Sequence, residues 1–210
     1  MSRRNSKSNP FGTLAAGIVI IAVGMGGQAA LRAWRYFAPG EFAAYLLLAI
    51  GWGAAFAGSN GIARVNRRCR TARAAAGLGS ICLLGALILA LMNYRNGLGA
   101  QTFTEFKVMA LYFVSVVCFA YIISASMRGA AEAARRRGDK HYADVCEGTW
   151  RSVIVITFVA LVLEPAVSVF PKIVEWISVG VLVLIAFVYQ ARAAALIRKG
   201  RVPAKRAAAH

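Results

Sequence analysis

Six long stretches free of charge dominate this chain. They lie between Lys7 and Arg32, Glu41 and Arg64, Arg73 and Arg95, Lys107 and Arg128, Arg151 and Lys172, and Glu175 and Arg192; Glu164 alone interrupts the fifth. Most hold about twenty residues, and at about 1.5 Å per residue such a helix crosses a hydrocarbon core of roughly 30 Å. Irregular backbone cannot face lipid, so the stretches are expected to be helices. The expectation is an all-α integral membrane protein: a bundle of six transmembrane helices arranged as three antiparallel hairpins. The spans fall at about 11–31, 42–63, 74–94, 106–127, 152–170 and 173–198, with Pro171 breaking the fifth. A basic tail (residues 1–10, disordered) precedes this domain (11–198, with a loop at 128–151), and a second basic tail (199–210) follows it.

Composition agrees. Hydrophobic residues make up 59% of the 210, mean hydropathy is +0.60, and only 16% are charged, against about a quarter in soluble domains. The first stretch is too long for an ordinary signal-peptide core and reads as an uncleaved anchor.

The net charge of +17 reflects topology rather than nucleic-acid binding, since no aromatic-interleaved basic face or known binding module accompanies it. With the N-terminus inside, twenty Lys and Arg residues fall on the cytoplasmic side and five (Arg32, Arg35, Arg95, Lys107, Lys172) on the outer side. In short loops this bias sets orientation, so both termini are expected in the cytoplasm, across a plasma or bacterial inner membrane. The basic clusters also attract anionic lipids, by about 1 kcal/mol per residue near the surface. Trp34, Tyr36, Phe37, Phe42, Phe103, Phe106, Phe170 and Trp176 gather at the outer boundary as an aromatic belt. None of the four cysteines falls in an outer loop, so no disulfide framework is implied.

Each even-numbered span opens with a glutamate and an aromatic, Glu41-Phe42, Glu105-Phe106 and Glu175-Trp176, and an arginine follows 23 residues after each glutamate. A threefold hairpin repeat of the kind found in transporters is one reading. Polar markers at helix ends explain the pattern as well.

Candidate chemistry is sparse. Glu164 and Pro165 place an acid beside a residue that frees a backbone carbonyl, an arrangement able to hold a proton or cation at a broken helix; headgroup exposure at the end of span five is the plainer alternative. Gly24, Gly27, Gly51, Ala54, Gly58 and Gly85 mark small-residue faces for helix packing. The segment between spans four and five holds four of the eight acidic residues. Its Arg135, Arg136, Arg137, Asp139, His141, Asp144 and Glu147 form a candidate partner-docking loop, in which Ala130–Arg137 extends span four as helix and Gly138 ends it. The only histidines, His141 and His210, lie outside the spans, and no nucleophile elbow, zinc-protease helix or phosphate loop occurs. No cofactor, metal site or catalytic residue is therefore expected. Two functional classes remain: a non-enzymatic accessory, scaffold or regulatory subunit bound to a membrane or cytoplasmic protein or to further copies of itself, and a small transporter or channel using Glu164.

Overall fold

Asn9 and Pro10 start the first helix. Proline suits a first helical position, where its missing N–H has no partner to lose, and the Asn9 carbonyl accepts the Thr13 backbone N–H at 2.9 Å and the Thr13 hydroxyl at 3.1 Å. In the computed structural model the chain forms six helices: α1 (Pro10–Ala33), α2 (Ala38–Ala63), α3 (Arg70–Arg95), α4 (Phe106–Arg136), α5 (Lys140–Val167) and α6 (Lys172–Lys199). The structure describes residues 9–33, 38–63, 70–95, 106–167 and 172–199. Most of both tails, the basic connection 64–69 with Cys69, the connection 96–105 and Pro171 lie outside them, as do the side chains of Glu41, Phe42, Glu164, Pro165, Glu175 and Trp176.

Five helices are long and apolar enough to cross a membrane, α1, α2, α3, α4 and α6. Among the described residues α5 is not one of them: its first half, Lys140–Arg151, is polar, and several later side chains are undescribed. Large apolar side chains point outward along the bundle, including Ile81, Phe158, Ile177 and Leu184, each more than 60% exposed. Apolar surface on that scale is a liability in water and natural in lipid.

Each helix packs on its neighbours in sequence, and α6 returns to pack on α1 and also touches α4, so the six close on themselves. The tightest seam joins α1 to α2. Gly17 lies against Gly51 and Ala55, Gly24 against Leu48, and Gly58 against Leu14. As α1 ascends, its partners on α2 descend. Leu14, Gly17, Ile21 and Gly24 recur at alternating intervals of three and four, and the glycines among them, with Gly51 and Gly58 opposite, let the backbones meet closely.

Trp52 of α2 is the central plug. It is 1% exposed, its ring fills the space that Gly79 of α3 leaves, and it meets Phe119 of α4 edge-on, at 6.3 Å between centroids and 65°. Tyr45 and Tyr112 repeat the α2–α4 contact at 6.4 Å.

The segment expected as a loop at 128–151 is a helical hairpin. The α4 helix runs to Arg136 and α5 begins at Lys140, not at Ser152. The intervening turn closes as sequence predicts at Gly138, whose φ of 82° is left-handed. The Gly138 N–H donates to the Arg135 carbonyl and the Asp139 N–H to the Ala134 carbonyl, both at 3.0 Å. This paired pattern ends helices at a left-handed glycine. Asp139 then caps α5, its Oδ1 accepting the Tyr142 backbone N–H at 3.0 Å.

Candidate functional site

The α4–α5 hairpin unites most of the residues singled out for docking. A seam of small buried side chains, Ala131, Ala134, Ala143 and Cys146, lets the two helices approach closely. Arg135, Arg136, Arg137, Asp139, Lys140, His141 and Asp144 are exposed around the turn. Across the seam, Arg135 Nη2 lies 2.7 Å from Glu147 Oε1; along α4, Arg136 Nη2 lies 2.9 Å from Glu132 Oε1. With the arginines 52% and 78% exposed, such pairs fix geometry and contribute at most about 1 kcal/mol each.

The hairpin is also tied to α6. The Tyr142 hydroxyl donates to the Leu196 carbonyl at 2.6 Å. Burial, then the neighbouring Cys146 thiol, pushes the Tyr142 hydroxyl well above its ordinary range, so it remains a donor. Burial also raises the Cys146 thiol, which the Tyr142 hydrogen bond partly offsets. Tyr142→Phe should therefore cost about 1 kcal/mol. Hydrogen–deuterium exchange should show faster opening around residues 137–142; unchanged protection would mean that the bond does not hold the hairpin.

At the base of the hairpin, the Arg128 guanidinium stacks over the Trp150 ring, Cζ 4.0 Å from the centroid, and Arg151 approaches the same ring at 5.8 Å. Sequence reasoning missed this cluster, as it missed Tyr142 and the Trp52–Gly79 plug. Arg128 and Trp150 are 22 residues apart and meet only because α5 starts early. A usable signal existed: Ala143, Cys146, Thr149 and Val153 are spaced three to four apart and continue a helical stripe into the apolar run.

The remaining candidates divide. Gly24, Gly51 and Gly58 sit in the α1–α2 seam, and Gly85 faces Leu111 of α4. Gly27 faces open space, with nothing within 4 Å of a Cβ placed there, and Ala54 is partly buried. The backbone stays helical through Glu164 and Pro165 to Val167; the side chains of that stretch lie outside the described residues. The structure therefore brings the candidate docking residues together and places the Glu164–Pro165 pair more than twelve residues away along α5.

An apolar cavity of about 120 Å³ opens between α1, α4, α5 and α6, lined by Met25, Gly26, Val116 and Val183, with Tyr112, Thr157 and Gln190 as its polar groups. Among the described residues no Asp, Glu, Lys, Arg or His lines it. Among the described residues no group of His, Cys, Asp and Glu is placed to hold a metal ion. Gln28, 1% exposed, has neither amide atom hydrogen-bonded, which in a bundle interior costs about 1–3 kcal/mol.

No protein-family model matches the chain, and neither a curated protein nor a solved structure does. Fold and composition point to a multi-pass α-helical membrane protein.

Proposed function

We propose that the chain is a non-enzymatic accessory subunit of a plasma or bacterial inner membrane, a scaffold or regulator, and that the α4–α5 hairpin is its docking element. In this reading the six helices form three antiparallel hairpins with both termini in the cytoplasm. The observation that carries it is the set of contacts that orders the hairpin. It is capped at Gly138 and Asp139, cross-bridged by Arg135 and Glu147, and anchored to α6 through Tyr142. From Arg128 to Arg136 it extends about 12 Å beyond the apolar run of α4. An ordered, mixed-charge projection suits specific recognition, because its polar groups are fixed before binding and little ordering cost remains. The glycine-sealed α1–α2 seam supports the same reading, since helices locked backbone to backbone favour a static frame.

The test is affinity purification from native membranes in mild detergent, with mass spectrometry and sizing. Wild-type protein should bring down a stoichiometric partner. Charge reversal at Lys140→Glu with Asp144→Lys, both exposed, should release that partner and leave the subunit folded, whereas Glu164→Gln should keep it. A solitary protein that conducts cations in liposomes, with Glu164→Gln abolishing the flux, would overturn the proposal in favour of a transporter or channel.

A further inference from the structure

We infer that Arg128, Trp150 and Arg151 form a binding site for the headgroup of an anionic phospholipid, whose acyl chain lies along the exposed apolar side chains of α4 and α5. The inference rests on the membrane reading of the fold and is independent of any protein partner of the hairpin.

Three observations converge. The first is charge without a counter-charge: among the described residues neither Arg128 nor Arg151 takes part in a salt bridge, although Arg135 and Arg136 nearby are both paired. Both residues are exposed. The second is geometry. The Trp150 ring holds Arg128 at 4.0 Å and Arg151 at 5.8 Å from its centroid. A guanidinium stacked by its face keeps the N–H edge free, and that edge matches a phosphate in bidentate fashion. Arg151, at 5.8 Å, brings a second positive charge near the same ring, while the stack on the indole restrains the long side chain of Arg128.

The third observation is position. Arg151 is the last charged residue before the apolar half of α5, and Arg128 ends the apolar run of α4. Above them, Tyr121 and Val117 on α4, and Val155, Phe158 and Val162 on α5, all point outward, 47–66% exposed. The antiparallel pairing set by Arg128–Trp150 and Arg135–Glu147 puts Tyr121 about level with Phe158 and Val117 about level with Val162. From Arg151 to Val162 the helix rises about 16 Å, close to half a hydrocarbon core. One leaflet lipid thus has a cationic cradle for its phosphate and a matched apolar track for its chain.

The test uses the full chain in phosphatidylcholine nanodiscs containing a rising fraction of phosphatidylglycerol brominated on its acyl chains. Bromine quenches nearby tryptophan, and the Trp150 signal is taken as the difference between wild type and Trp150→Phe. Quenching should saturate at about a thirtyfold lower fraction of brominated phosphatidylglycerol than of brominated phosphatidylcholine, in keeping with the attraction of two basic residues to anionic lipid. Arg128→Gln with Arg151→Gln should erase that preference. Arg128→Lys, which keeps the charge and loses the stacked fork, should fall between, and guards against a folding defect in the double variant. Arg136→Gln should change nothing. The inference is overturned by equal quenching from the two lipids, by a preference that survives in the double variant, by an equal loss in Arg136→Gln, or by displacement of the lipid with inorganic phosphate.

Discussion

Gly58→Val is expected to separate α1 from α2 and cost about 3 kcal/mol, the upper end of what overpacking does. A Cβ at Gly58 would fall on the backbone nitrogen and Cα of Leu14. Backbone cannot swing aside as a flexible side chain does, so the helices have to part along the whole seam. The separation would open the neighbouring contacts of Gly17 with Ala55 and of Gly51 with Ile21, where Cβ positions lie only 2.5–2.9 Å from backbone atoms. Dispersion lost along such a seam is not recovered, because lipid fills the gap less densely than a helix does. The comparison that makes the measurement decisive is Gly53 on the same helix, where nothing lies within 4 Å of an added Cβ. Gly53→Ala should be neutral or stabilising by up to about 1 kcal/mol, from helix propensity alone. Reversible unfolding in mixed micelles, read as a free-energy difference, should separate the two by several kcal/mol. Equal effects at Gly53 and Gly58 would show that glycine acts here through helix propensity and not through contact.

That contrast also marks what the sequence could reveal. The number of helices was legible because the bilayer imposes a length on apolar runs, and the end of α4 was legible because few residues besides glycine adopt a left-handed φ at low cost. Which glycines touch another helix was not. A helix in lipid is apolar on its packed face and on its exposed face, so the periodicity that orients a helix in water disappears. Gly24 and Gly27 look alike in sequence, yet one meets Leu48 and the other meets nothing. The same blindness hid Trp52, which as an isolated tryptophan in an apolar run could as well face lipid. The α5 start was hidden for the opposite reason: Lys140–Arg151 is polar, and hydropathy assigns polar residues to loops even when Asp139 supplies a helix cap.

The Trp52–Gly79 contact should couple α2 and α3 strongly enough to be measured as an interaction energy. The Trp52 ring occupies the space where a Gly79 side chain would begin, and Phe119 meets the same ring edge-on at 6.3 Å. Gly79→Val therefore has no room, and a cost of about 2–3 kcal/mol is expected. Trp52→Leu removes a large buried ring and leaves a cavity; a loss of about 3 kcal/mol is expected, near the low end for truncating a buried tryptophan. Together the changes are complementary, since the valine methyls enter the space the indole vacates. The double variant should be more stable than the sum of the single losses predicts, by about 1–3 kcal/mol. Unfolding of the wild type, both singles and the double in one detergent gives the coupling directly. Strict additivity would mean that the two residues do not share a space, and that Trp52 braces α4 through Phe119 without engaging α3. A positive coupling would place the brace at the junction of α2, α3 and α4. The position of α4, and with it the hairpin it carries, would then depend on a single indole held by a missing side chain.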